Sequence, residues 1–248
     1  MRALTLLVLT SALLLAACGS PAASVSEITL APPTATFTAA PTETPPSPTS
    51  TSTPTPPPTA TPTETPSPTP EGCLRPPDDY SRVTVYGDWQ LSARTLAMLE
   101  HAQALYGGEH VFTLAVTQGS YNTGVEASFG THDGGGAVDL AVRDFNDWHH
   151  VLYEEMDAMI SALRRAGFAA WLRDTDDLYP GSPVHIHAIA VGDADLSLAA
   201  QRQLTGAEGY FYGYDGLPVD PPQQDRHGGP VVCPWMVEMG YPDAAAGQ

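Results

Sequence analysis

The chain has 248 residues, with 28 acidic and 10 basic side chains and no lysine, so its formal net charge is −18 at neutral pH. Such an acidic protein is a poor partner for nucleic acid or for an anionic membrane surface, because both carry dense negative charge. The charge does not oppose a bound metal cation, nor one small peptide held in a local pocket.

The N-terminus has the pattern of an export signal. Arg2 supplies a short positive region, and residues 4–15 are almost wholly apolar, a run too short to span a bilayer comfortably. The run leads into Ala16-Ala17-Cys18, which resembles the end of a bacterial lipobox. We therefore predict a lipoprotein signal peptide at residues 1–18, with lipidation of Cys18 anchoring an extracytoplasmic protein to the bacterial cell membrane. The alternative is an ordinary signal peptide with a chance cysteine.

Residues 19–72 are rich in proline, threonine and serine, and four glutamates are their only charges. Repeats such as Thr-Pro-Thr-Glu-Thr-Pro cannot bury a core, so we predict a disordered, extended stalk. At roughly 3.1 Å per residue, about fifty residues in polyproline II conformation reach on the order of 150 Å. That reach would carry the following domain from the membrane into the wall matrix.

Residues 73–248 are predicted to form one domain, with 24 acidic residues and nine arginines and hence a charge of about −15. If Cys18 is lipidated, Cys73 and Cys233 remain, one towards each end of this domain. We predict a disulfide between them, as is usual outside the cytoplasm. The alternative, a zinc-binding cysteine pair, has no neighbouring Cys or His to complete it.

Helices and strands alternate along the domain. Three helices are predicted, at residues 92–105 with Ser92 as N-cap, at 147–166 with Asp147 as N-cap, and at 196–204. Strands are predicted at 111–116, 134–142, 168–172 and 184–191, and residues 206–233 are expected to be irregular. The pattern indicates an α+β domain with a small mixed or antiparallel sheet flanked by helices.

The most informative motif is the run Thr131-His132-Asp133-Gly134-Gly135-Gly136-Ala137-Val138-Asp139. Its glycines let the backbone curl so that His132 and Asp139 can face one point. A second motif, His185-Ile186-His187, lies on a predicted strand, where alternation puts both imidazoles on one face. A set of two or three histidines and one carboxylate suits a catalytic zinc ion, Zn2+.

The two motifs resemble those of the superfamily that contains the zinc D-Ala-D-Ala carboxypeptidases and the Hedgehog signalling domain. The superfamily pattern H-x-x-G-x-A-x-D is matched by His132, Gly135, Ala137 and Asp139, and its later H-x-H by His185 and His187. The resemblance covers roughly residues 111–191. It implies a Hedgehog/DD-peptidase-like fold, the zinc ligands His132, Asp139 and His187, and hydrolysis of a peptide bond.

Two side chains usual in that superfamily have no counterpart beside these motifs. The strand before His132 lacks the arginine that holds the substrate carboxylate, and Gln118 falls near its position. No acid stands just before His185, where the superfamily has its general base. We predict Asp177, in the preceding acidic loop, or His185 as the catalytic proton acceptor. Gln118 and Tyr121 are predicted to bind substrate.

The motifs and the anchor support three hypotheses. The first is a surface-anchored zinc metallopeptidase that hydrolyses peptidoglycan stem peptides as a carboxypeptidase. The second is a non-catalytic zinc module of the same fold, binding cell-wall material or another envelope component, and it is favoured by the absent arginine and acid. The third is a spacer domain in which the metal only stabilises the fold.

Overall fold

A computed structural model describes residues 70–243. The predicted signal peptide with Cys18 and nearly all of the predicted stalk lie outside the described residues, as do residues 244–248. Within the described range, no helix combines the length and apolarity needed to cross a membrane.

Short strands and helices alternate through residues 70–243. In chain order they are β1 (Arg82–Thr84), β2 (Gln90–Ser92), α1 (Ala93–Tyr106), β3 (Val116–Gln118), β4 (Ala137–Ala141), α2 (Met156–Arg165), β5 (Phe168–Arg173), β6 (His185–Ala190), α3 (Leu198–Thr205) and α4 (Pro234–Glu238). Single 3-10 turns lie between several of them. The predicted α+β class is confirmed.

The central sheet has four strands in the order β3-β4-β6-β5, and each neighbouring pair is antiparallel. Strands β1 and β2 form a separate antiparallel hairpin. Strand β4, which carries Asp139, therefore pairs directly with β6, which carries His185 and His187. The fold brings together two motifs that are about fifty residues apart in the chain.

The two faces of the central sheet meet different surroundings. Leu140 and Ile186 point to one face and share the main core with apolar residues of α1 and α2. Full burial of such a side chain stabilises the fold by about 1.5–3 kcal/mol. Trp171 points to the other face and belongs to a second cluster with residues of α3 and α4. Because side chains alternate along a strand, Asp139 and His187 also point to this second face.

The start of helix α1 confirms the predicted N-cap. Ser92 is extended, and its Oγ accepts a hydrogen bond from the backbone N–H of Thr95 at 3.0 Å. An N-cap of this kind contributes about 1 kcal/mol, because it satisfies a donor that has no partner inside the helix.

Two other predicted boundaries are wrong. The long helix begins at Met156 rather than at Asp147, whose carboxylate accepts from the N–H of His149 inside a turn instead of capping a helix. The strand predicted from Val111 begins only at Val116, since residues 111–115 close into turns through backbone hydrogen bonds. In both places local hydrogen bonds of a turn replaced the regular element.

Cys73 and Cys233 form the predicted disulfide, with their Cα atoms 5.5 Å apart. Cys233 is fully buried in the second apolar cluster and stands directly before α4. The bridge joins the beginning of the domain to its last helix across a sequence separation of 160 residues.

The irregular segment 206–233 is held by a buried ion pair. Arg164, in the last turn of α2, lies 2.6 Å from the Asp225 carboxylate, and both side chains are almost completely buried. The same guanidinium donates to the backbone carbonyls of Ala170, His227 and Gly229. Removing one partner of such a pair costs about 3–5 kcal/mol, because the other charge stays buried without compensation. The pair therefore fixes a loop that has no sheet or long helix of its own.

Candidate metal centre

Strand pairing places one carboxylate opposite one imidazole. Asp139 in β4 is the register partner of His187 in β6, and Trp171 in β5 is the next residue in the same row. The Trp171 ring lies nearly parallel to the His187 imidazole, with 6.1 Å between ring centroids. The row thus fixes the plane of the His187 ring on the second face of the sheet.

His132 reaches the same point from a loop. It lies in a 3-10 turn, followed at once by glycines that pack against the segment before α3. A side chain on Gly134 would place its Cβ 2.1 Å from the Asp195 carbonyl oxygen, so the close approach requires glycine. The N–H of Gly135 donates to that oxygen at 2.7 Å. The predicted curl of this run is present, and it turns His132 towards β4.

The three predicted metal ligands converge. One ligand atom from each of His132, Asp139 and His187 can be chosen so that all three lie within 4.8 Å of one another. Asp139 Oδ1 lies 3.2 Å from His132 Nε2 and 2.7 Å from His187 Nδ1. All three side chains are largely buried. Among the described residues, this group could hold a metal ion.

The hydrogen bonds of His132 support that interpretation. Its Nδ1 lies 2.9 Å from the Gly119 carbonyl oxygen and donates to it, so in the neutral ring Nε2 carries the lone pair. This Nε2 is buried and has no hydrogen-bond partner, although Asp139 Oδ1 is close. A buried nitrogen that faces a carboxylate without a hydrogen bond is what a cation between the two would satisfy.

Gln203 in α3 was not predicted from the sequence, and it sets the orientation of His187. Its Oε1 lies 3.0 Å from His187 Nε2. Because Gln203 occupies Nε2, Nδ1 is the ring nitrogen that faces the cluster, 2.7 Å from Asp139 Oδ1. Metal-bound histidines are commonly held in this way by a partner on the other ring nitrogen. Nothing near residue 203 in the sequence distinguishes it from a surface glutamine.

Protonation of the cluster is unequal. Burial lowers the pKa of His187 to about 4. Burial also opposes charge on His132, but the Asp139 carboxylate outweighs it and raises the pKa of His132 above its usual value. For Asp139, burial would raise the pKa, yet the neighbouring His132 and His187 together hold it well below its usual range. The cluster without metal therefore contains one carboxylate and one readily protonated imidazole.

His185 stands beside this group on the same strand face. Its Nδ1 donates to the Pro183 carbonyl oxygen at 2.8 Å, so Nε2 carries a lone pair. That Nε2 lies 3.8 Å from Asp139 Oδ2, whereas His187 contacts the other carboxylate oxygen, Oδ1. His185 is thus a neighbour of the cluster, held by Nδ1, with its Nε2 directed towards Asp139.

Of the other predicted site residues, only some lie near the cluster. Gln118 lines the cavity into which the cluster opens, and it donates to Ser128 Oγ at 2.7 Å. Asp177 does not line it, since its carboxylate binds Arg226 at 2.7 Å. Tyr121 also stands outside, where its hydroxyl donates to Asp195. The structure therefore brings Gln118, but neither Asp177 nor Tyr121, to the cluster.

The cluster opens into a cavity of about 590 Å³. Asp139 is the only carboxylate in its wall among the described residues, while the two arginines Arg143 and Arg173 also line it. Exposed aromatic rings surround the cavity, contributed by Phe129, Trp148 and Tyr179. Neither arginine was predicted, because neither is part of the two motifs.

Comparison of the chain with protein-family models, with curated proteins and with solved structures gave no match.

Proposed function

We propose that this protein is a zinc metallopeptidase of the Hedgehog/DD-peptidase type that hydrolyses peptidoglycan stem peptides as a D-Ala-D-Ala carboxypeptidase. The observation that carries the proposal is the convergence of His132, Asp139 and His187 in the wall of a cavity large enough for a short peptide. The spacing of the two motifs, which resembles that superfamily, adds to it.

Zinc is the ion we assign to the three ligands. Two imidazoles and one carboxylate form a set typical of catalytic zinc. Bound there, zinc would polarise a carbonyl and lower the pKa of a coordinated water to about 7. The unpartnered Nε2 of His132 and the Nδ1 of His187 are the imidazole atoms that face Asp139.

His185 is the proton acceptor in this proposal. Its lone-pair nitrogen is next to Asp139, and the Pro183 carbonyl fixes the ring by holding the other nitrogen. The first alternative, Asp177, would have to leave its ion pair with Arg226 and its contact with the backbone of Asp174. A positioned acid-base group of this kind contributes about 10²–10⁴-fold to turnover.

A second candidate function is a non-catalytic zinc module that binds cell-wall peptide. It is favoured by one observation, that the described cavity wall contains no carboxylate besides Asp139 to serve as base. In either case we place the domain at the outer surface of the membrane, held by lipid on Cys18, with an envelope component as partner and no nucleic acid.

The test is hydrolysis of a diacetylated Lys-D-Ala-D-Ala peptide by the zinc-loaded protein, read as released D-alanine. Chelation should abolish release. The variant His185→Gln should keep stoichiometric zinc and lose about 10²–10⁴-fold in turnover. His150→Gln is the matched control, because His150 is exposed and does not line the cavity. Its turnover should equal that of the unmodified protein.

Asp177→Asn separates the two proton acceptors. A fall in turnover for Asp177→Asn, with His185→Gln unaffected, would transfer the role to the acidic loop. If the fully zinc-loaded protein binds wall peptides but releases no product from any of them, the binding-module function replaces the peptidase.

A further inference from the structure

Three exposed aromatic side chains stand in the wall of the cavity that contains the metal cluster. Phe129, Trp148 and Tyr179 line this cavity and are 50%, 55% and 46% exposed, respectively. Among the ring-to-ring contacts within residues 70–243, none involves these three. A large part of each ring is therefore available to a ligand.

Two of the rings come from loops whose backbones are fixed by hydrogen bonds. Trp148 lies in the loop after β4, where its carbonyl oxygen accepts from the Arg143 guanidinium at 3.0 Å. Tyr179 lies in the loop between β5 and β6, where its carbonyl oxygen accepts from the N–H of Ser182 at 2.9 Å. A ring on a fixed backbone costs less conformational entropy when a ligand binds to it.

The third ring stands on a strained backbone. Phe129, in the loop between β3 and β4, has the left-handed conformation with φ of 51°, and its N–H donates to the carbonyl oxygen of Glu126 at 3.1 Å. A bulky residue is unusual in this region, and strain of this kind is concentrated at functional sites. Glycine would close the same turn without strain. What phenylalanine adds at this position is the exposed ring.

The charge of the domain restricts what can cover these rings. The domain carries about −15, so an anionic membrane surface and a second copy of the same domain would both be repelled. A purely apolar partner is disfavoured for another reason, since it would strip water from Arg143 and His149, which also line the cavity. The ligand that fits is uncharged, with apolar faces and with hydrogen-bonding groups at its edges.

Sugar rings have this chemistry. The C–H bonds on a face of a sugar ring carry partial positive charge and attract the negative face of an aromatic ring, while hydroxyl and acetamido groups at the edge bind polar side chains. We propose that Phe129, Trp148 and Tyr179 form an aromatic platform for the uncharged N-acetylhexosamine units of a peptidoglycan glycan strand. This deepens the proposed function and rests on it for the source of the glycan, because the stem peptide is attached to such a strand.

The experiment titrates the full-length Cys18→Ser protein, prepared without zinc, with tri-N-acetylchitotriose, a neutral trisaccharide of N-acetylglucosamine. Dissociation constants are measured by ligand-detected NMR, so that neither a lipid anchor nor turnover enters the result. The trisaccharide should also protect tryptophan fluorescence from quenching by acrylamide, because Trp148 is the most exposed of the four tryptophans. Purified peptidoglycan should sediment the protein, and the trisaccharide should release it.

Substitutions locate the aromatic platform. Trp148→Ala should weaken trisaccharide binding by about tenfold or more, and Trp148→Leu should lose as much, because leucine keeps apolar surface but has no ring face. Phe129→Gly should also weaken binding while the protein stays folded, since glycine adopts the left-handed backbone without strain. Tyr212→Ala is the control, because it removes a ring that is 56% exposed and lies outside the cavity. Its binding should be unchanged.

No saturable binding of the trisaccharide would overturn the proposal, and so would a Trp148→Leu protein that binds it as tightly as the original. A dimer that Trp148→Ala dissociates in sedimentation velocity would assign the rings to a second copy of the chain instead. Binding of the trisaccharide without sedimentation by peptidoglycan would overturn the source of the glycan. Sugar binding without release of D-alanine in the peptide assay would retain the aromatic platform and reject the peptidase, and release of D-alanine without sugar binding would do the reverse.

Discussion

If the proposed zinc site is correct, zinc binding should be linked to the release of a single proton below neutral pH, although the site contains two histidines. A ligand must be deprotonated before it can coordinate. At about pH 5 to 6, His187 is already neutral, because its pKa is about 4, and Asp139 is ionised, because its pKa lies well below its usual range. Only His132, whose pKa is raised above the usual 6.5, still carries a proton to be displaced.

The size of the pH effect on zinc affinity follows from the number of protons released. With one proton released per zinc bound, the affinity should fall about tenfold when the pH drops from about 6 to about 5. If both histidines had ordinary pKa values, two protons would be displaced and the loss would approach about a hundredfold. At pH values above the pKa of His132, the affinity should no longer depend on this group.

The assay is competition for zinc against a chelator of known pH-dependent affinity, together with calorimetry in two buffers of different ionisation enthalpy, which counts the protons directly. His150→Gln should show the same slope, because that exposed histidine is not a ligand. Alanine at position 132, 139 or 187 should remove binding. A two-proton slope between about pH 5 and 6 would refute the unequal protonation of the cluster, and stoichiometric zinc in all three alanine variants would refute the ligand assignment.

Two further predictions concern stability and anchoring. Replacing Cys73 and Cys233 together by serine should lower the free energy of unfolding by up to about 5 kcal/mol, since the bridge closes a separation of 160 residues; denaturant unfolding measures this, and an unchanged midpoint would show that the bridge does not constrain the unfolded chain. Cys18→Ser should move the protein from the detergent phase to the aqueous phase in phase separation, because the lipidated residue is lost; retention in the detergent phase would contradict the lipid anchor.

Part of the cluster's geometry could be predicted from the sequence because the constraints that produce it are local. Strand alternation determines that His185 and His187 share a face, and the glycines after His132 determine how closely that loop can approach its neighbours. The N-cap at Ser92 follows from the same kind of short-range chemistry. The disulfide was predicted from the expected extracytoplasmic location and the number of remaining cysteines rather than from a sequence pattern.

Tertiary packing decided what the sequence did not reveal. Gln203 belongs to the cluster only because α3 packs on the second face of the sheet, and no spacing relates it to His187. The β1–β2 hairpin was missed because strands of three residues are too short for alternation to be recognised. Asp147 looked like a helix cap, but the backbone after it closes into a turn.

Arg173 shows why distance along the chain is a weak guide to which residues line the cavity. The strand before His132 has no arginine, and this absence, together with that of an acid just before His185, favoured a non-catalytic module. In the sheet, however, β5 pairs with β6, so Arg173 stands opposite His185 although the two are twelve residues apart in the chain. An acidic surface outside and two arginines inside the cavity then act in opposite directions. The surface repels ligands of high negative charge over a distance of about 8–10 Å, the screening length in physiological salt. Inside the cavity, Arg143 and Arg173 oppose that repulsion at close range, so a ligand's charge has different effects on its approach and on its contact with the wall.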